Sequence, residues 1–106
     1  MRPEDFPAIG HRYLVDFKKF RVELFFESIT SMTYTGVKPD GSHGGSETVV
    51  IAVDPVRDGL FLVTWTEADG TIVVHLEDYK LDTIVTNIAN PDHTLDRYEG
   101  SMTLLS

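Results

Sequence analysis

The sequence contains no cysteine. That absence excludes disulfides, thiolate–metal sites and cysteine nucleophiles, and it suits a reducing cytosol. Positive charge is scarce as well: nine Lys and Arg stand against seventeen Asp and Glu, a formal charge of −8. The longest basic cluster is Lys18-Lys19-Phe20-Arg21, too little to neutralise a phosphate backbone, so nucleic acid is not an expected partner. The acidity reads as the solubility of a small protein. No run approaches the roughly 20 apolar residues of a spanning helix, and "MRPEDFPAIG" (1–10) reads as neither signal peptide nor membrane anchor. A cytoplasmic protein without a membrane partner is expected. At 106 residues the chain reads as one domain, 1–106, able to bury about two-thirds of its unfolded surface.

Helical periodicity is missing too, apart from one short turn expected within residues 3–10 near Pro3. What is present is period-two alternation, interrupted by turn residues. Eight strands are expected, at 11–17, 20–27, 30–37, 46–53, 59–67, 71–79, 82–89 and 97–105. Between them lie segments such as "KPDGSHGG" (38–45), "DPVRDG" (54–59), "ADG" (68–70) and "NPDHTLD" (90–96), whose Gly, Pro, Asp and Asn tolerate turn conformations. Hairpin-length connections favour an antiparallel meander. Closure removes the exposed edges, and eight strands leave room for side chains plus one small ligand. The expected fold is therefore all-β, an up-and-down antiparallel barrel, with a sandwich as the alternative.

Alternation assigns an inner face to the first four strands. Tyr13, Val15 and Phe17 oppose Arg12 and Asp16; Val22, Leu24 and Phe26 oppose Arg21, Glu23 and Glu27. Met32 and Tyr34 continue that face, as do Val49, Ile51 and Val53. The fifth and sixth strands are apolar on both faces for at least part of their length: Leu60 and Leu62 against Phe61, Val63, Trp65 and Glu67, then Ile72, Val74 and Leu76 against Val73, His75 and Glu77. An outer face that is also apolar wants a cover. With no helix to provide one, a homodimer through strands five to seven is expected.

The residue types that could carry chemistry are few. Glu67 lies two residues after Trp65, the only tryptophan, so the two share a face. A carboxylate above an apolar floor can have a raised pKa and act as general acid or base; the plain alternative is a strand-end charge in solvent. His75, mid-strand, is a weaker catalytic candidate, since a lone histidine in a strand is usually a hydrogen-bonded core or rim residue. The four histidines lack metal-ligand spacing, so no metal is expected. The glycine-rich "PDGSHGG" has no helix after it to cradle phosphate and reads as a connection over one barrel end. Thr86 and Asn87 are both polar within a strand, and only one of them can face inward.

The stretch "DGLFLVTWTEADGTIVVHLEDY" (58–79), with "ESITSMTYTG" (27–36) and "TNIANPD" (86–92), resembles the MoaF-like domains, related to the molybdenum cofactor biosynthesis protein MoaF. More distantly, "WTEADGT" is similar to the Trp-Thr-Glu and Gly-Thr signature of the phenolic acid decarboxylases. The resemblance implies a calycin-like (lipocalin-like) barrel of eight to ten strands, an internal ligand cavity and a tendency to dimerise. It places Glu67 at the position of the decarboxylases' catalytic glutamate. The rest of that active site is absent. Their paired tyrosines fall on Val15 and Phe17, and no arginine lies between Lys38 and Asp54.

The function expected is a small-molecule-binding barrel for an apolar or aromatic metabolite, without cofactor. Phe17, Phe26, Tyr34, Trp65 and Ile88 would form the walls, with Glu67 and His75 giving polar recognition. The alternative is a cofactorless lyase or isomerase, resembling the phenolic acid decarboxylases, with Glu67 as proton shuttle. A third reading has the interior filled by its own aromatic side chains and the dimer surface as the functional part.

Overall fold

The computed structural model describes residues 2–106, Glu4 by its backbone alone. A single 3-10 turn, Pro3–Asp5, precedes nine strands: β1 (Arg12–Asp16), β2 (Arg21–Ser28), β3 (Ser31–Val37), β4 (His43–Val50), β5 (Ala52–Arg57), β6 (Leu60–Thr66), β7 (Ile72–Asp78), β8 (Thr83–Ala89) and β9 (Leu95–Leu104). Every ladder is antiparallel, in the order β4-β3-β2-β1-β9-β8-β7-β6-β5. The sheet curls into the up-and-down calycin-like barrel.

Its two edge strands, β4 and β5, are separated along the chain by Ile51 alone. They amount to one long strand that pairs with β3 in its first half and with β6 in its second. The single strand expected at 46–53 therefore straddles this junction. The inner row Val49, Ile51 and Val53 runs through it, all three buried, while Val50 points out. The expected turn at 54–59 is a correction: strand continues to Arg57. Pro55 is accommodated because β5 is an edge strand, where a residue without an N–H breaks no ladder.

The hairpin turns follow a common local chemistry. Asp16, Asp40, Asp69, Asp78 and Asp92 each accept the backbone N–H two residues on, an arrangement that makes aspartate a turn former. At the tip of the β6–β7 turn Gly70 has φ +93°, a conformation costly for a residue with a Cβ.

The inner faces expected for β1 to β4 are the buried ones, with Val15, Leu24, Phe26 and Met32 almost wholly enclosed. In β6 and β7 the ambiguity resolves toward Phe61, Val63 and Trp65, and toward Val73, His75 and Glu77. Ile72 and Leu76 are exposed outside. One end of the barrel is plugged. Phe6, just after the 3-10 turn, packs edge-on against Phe26 and Phe61, both at 5.1 Å, and Tyr79 at 5.4 Å. The opposite end, ringed by the turns at 17–20, 38–42 and 67–71, is not plugged. Among the described residues no helix is long and apolar enough to cross a membrane.

Candidate functional site

The unplugged half of the barrel holds a cavity of about 270 Å³. Strand alternation aims its walls inward, aromatic side chains from Tyr34 and Trp65 and aliphatic ones from Val22, Val73 and Ile88, and Phe17 joins them from the turn after β1. Gly36 and Gly45 face each other at the mouth, and having no side chains they leave it open. Of the residues expected from sequence, Phe17, Tyr34, Trp65, Glu67, His75 and Ile88 come together here. Phe26 does not; it lies in the plugged half, against Phe6.

Glu67 stands half-buried at the mouth, and its Oε2 accepts the Trp65 indole N–H at 3.2 Å. Tyr34 stacks on Trp65 with ring centroids 6.4 Å apart and donates its hydroxyl to Glu47 Oε1 at 2.6 Å. The other Glu47 oxygen accepts the Ala68 N–H at 2.9 Å. The Tyr34 phenol is held well above its ordinary value, first by burial and then by its bond to Glu47. Arg21 also lines the cavity, and its Nη2 donates to the Lys38 carbonyl at 3.0 Å.

Deeper in, the Trp65 ring meets His75 edge-on at 4.7 Å. His75 Nδ1 lies 2.9 Å from Glu77 Oε2, and the Tyr79 hydroxyl donates to Glu77 Oε1 at 2.6 Å. Glu77 is 0 % exposed. A carboxyl group that deep is tolerated only when its oxygens are hydrogen-bonded, and both are. Burial, then the charge of Glu77, drives the Tyr79 phenol well above 10.0, so it stays a donor. His75, Glu77 and Tyr79 thus form one hydrogen-bonded row from the cavity floor to the plugged end. Alternation places Glu77 on the His75 face, but Glu77 is not among the expected site residues. The signal was there: His, Glu and Tyr at alternate positions of one strand share one face.

On β8 it is Thr86 that faces inward and Asn87 that faces out. Thr86 pairs across the ladder with His75 and lines the cavity. Its Oγ1 is buried without a hydrogen-bond partner. Among the described residues no three His, Asp or Glu side chains converge as a metal site. His43 pairs with Glu23 at 2.8 Å at the surface.

A crystal structure described as that of a "putative beta-lactamase" from Burkholderia vietnamiensis is similar to this chain over 93% of its length and 96% of the other, at 24% identity and a TM-score of 0.84. At that identity the likeness shows the shared barrel fold and nothing about activity. No curated protein matches the sequence. The family model described as MoaF-like matches residues 9–103, which takes in all nine strands but the last residue of β9. The chain belongs to the MoaF-like family.

Proposed function

We propose that this protein binds a small apolar or aromatic molecule inside its barrel. The observation that carries this reading is the contrast between the two halves of the interior. One is packed by Phe6, Phe26 and Phe61; the other keeps an open-mouthed cavity walled by Phe17, Tyr34, Trp65 and Ile88. Aromatic walls supply most of the binding energy by burying apolar surface, and a few polar groups fix orientation. At about 270 Å³ the space falls just below the roughly 300–1,000 Å³ of drug-sized sites, which favours a molecule of one or two rings.

Trp65 gives the test its reporter, being the only tryptophan and part of the wall. A panel of small one- and two-ring compounds is expected to shift its emission and to perturb the amide resonances of Val73, His75 and Ile88. A panel that leaves all of these unchanged, together with native mass spectra free of co-purified ligand, overturns the reading.

A cofactorless lyase or isomerase is the second reading, favoured by the Glu67 carboxylate at the cavity mouth. Turnover of a hydroxycinnamate panel that disappears in Glu67→Gln supports it; equal rates with and without that carboxylate dismiss it. We also infer a homodimer. Leu62, Leu76 and Val85 form one cross-strand row on the outside of β6, β7 and β8, next to exposed Ile72, and a second copy is the cover this row would take.

A further inference from the structure

The polar atoms on the cavity floor specify what the occupant carries. Thr86 is 0 % exposed and its Oγ1 has no partner. A buried hydroxyl left unsatisfied is destabilising, so an inward-facing threonine is an unfavourable way to build an apolar wall. Directly across the ladder stands His75. Its Nδ1 is committed to Glu77, and Nε2 makes no hydrogen bond among the described residues. Two cross-strand neighbours that line the cavity thus each carry a polar atom without a protein partner, in walls that are otherwise largely apolar.

We propose that the molecule bound here carries a hydroxyl group that donates to His75 Nε2 and accepts from Thr86 Oγ1, with its apolar body against Phe17, Trp65 and Ile88. The inference rests on the binding reading above and narrows it to one chemical class. Glu77 sets the polarity. Tyr79 donates to Oε1, the carboxylate accepts on its other oxygen as well, and so the imidazole proton belongs on Nδ1. On the neutral ring Nε2 is then the acceptor. A carbonyl or ether oxygen can accept from Thr86 but brings no proton for Nε2, and a methyl group satisfies neither. A hydroxyl satisfies both at once. Glu77 touches no ligand in this scheme; it is a positioning residue that fixes the His75 tautomer.

The test uses the full chain and two probes of similar shape, 2-naphthol and 2-methylnaphthalene, titrated by calorimetry. Water expels the methyl compound more readily, so the quantity read is the ratio of the two affinities and how a substitution changes it. Thr86→Val is nearly isosteric and removes only the hydroxyl. It is expected to fold normally and to lower the naphthol preference about tenfold, the worth of one hydrogen bond. His75→Phe is expected to do the same.

A preference unchanged in both variants overturns the hydroxyl inference and leaves the binding reading standing. Absence of binding by either probe overturns both. The tautomer is read separately from the imidazole ¹⁵N shifts: a protonated Nδ1 and bare Nε2 are expected, shifting toward a mixture in Glu77→Gln. A proton found on Nε2 in the unmodified protein refutes the assigned polarity and the hydroxyl inference with it.

Discussion

The Ala68 amide N–H donates to Glu47 Oε2 at 2.9 Å, and this bond spans the one gap in the ring of strands, between the β4 edge and the β6–β7 turn. Glu47's other oxygen holds Tyr34 of β3. One side chain thus ties the edge strand both to its ladder neighbour and to the far side of the seam. Glu47→Ala leaves both donors unmatched and is expected to cost about 1–2 kcal/mol in urea denaturation, the usual worth of hydrogen bonds to a charged group at a half-exposed site. Glu47→Gln, which keeps one acceptor oxygen, is expected to cost less. Amide exchange at Ala68 should speed up in both.

Alkali should loosen the fold. Burial is the main cause of the raised phenol pKa at Tyr34, Tyr79 and Tyr13, with Glu47, Glu77 and Asp82 adding to it in turn. Each phenol holds its proton more tightly in the folded chain than at the ordinary value of 10.0. Their stabilisation is full below that pH and declines as pH rises beyond it. Denaturation midpoints measured from about pH 8 to about pH 11 should fall at the upper end. In Tyr34→Phe that fall should be shallower, from a lower starting stability.

The mouth of the cavity can be closed without straining the backbone. A Cβ on Gly36 would meet only the Gly45 carbonyl, at 3.9 Å, and one on Gly45 would meet nothing within 4 Å. Gly36→Val and Gly45→Val should therefore fold at least as stably as the parent, since glycine weakens a strand by about 0.5–1 kcal/mol. Ligand affinity should fall about tenfold or more. Unchanged affinity in the double variant would mean that ligands enter elsewhere.

Gly100 stands in contrast. A Cβ there would lie 2.3 Å from the Asp16 carbonyl oxygen, in the ladder that joins β1 to β9. That neighbour is backbone and cannot swing aside. Gly100→Ala should cost about 3 kcal/mol, the upper end for overpacking, read as a lowered midpoint in thermal or urea unfolding.

Light scattering should give a mass of two chains for the native protein and one chain for Leu76→Lys, which places a charge in the middle of the Leu62, Leu76 and Val85 row. A single-chain mass for the native protein would dismiss the dimer.

The first four strands were legible because one face of each is polar: Arg12 and Asp16 opposite Val15, Glu23 opposite Leu24. β6 and β7 were not, since Leu62 and Leu76 on the outside match Val63 and Val73 on the inside in hydrophobicity. Pro55 misled for a different reason. Proline signals a turn in most contexts, and only the position of β5 at an edge, a property of the assembled sheet, permits it within a strand. The cavity residues on β6 and β7 could be read from Trp65 and its period-two neighbours. Glu47 carries no such local mark, because its partners Tyr34 and Ala68 lie far off in sequence. Alternation put Glu77 on the His75 face but gave it no partner, and its burial depends on His75 and Tyr79 supplying hydrogen bonds on either side.

The pairing of β1 with β9 also bears on how the barrel is assembled. Hairpins β1 to β4 and β5 to β9 are each built from neighbours in the chain and can form as two independent meanders. The β1–β9 ladder is the step that converts two curved ribbons into one enclosure, and it brings together strands from opposite ends of the described chain. During synthesis the free edge of β1 must wait for β9, with its backbone groups open to any passing strand. A chaperone that shields that edge, or a second chain that borrows it by swapping its β9, would act at this closing step.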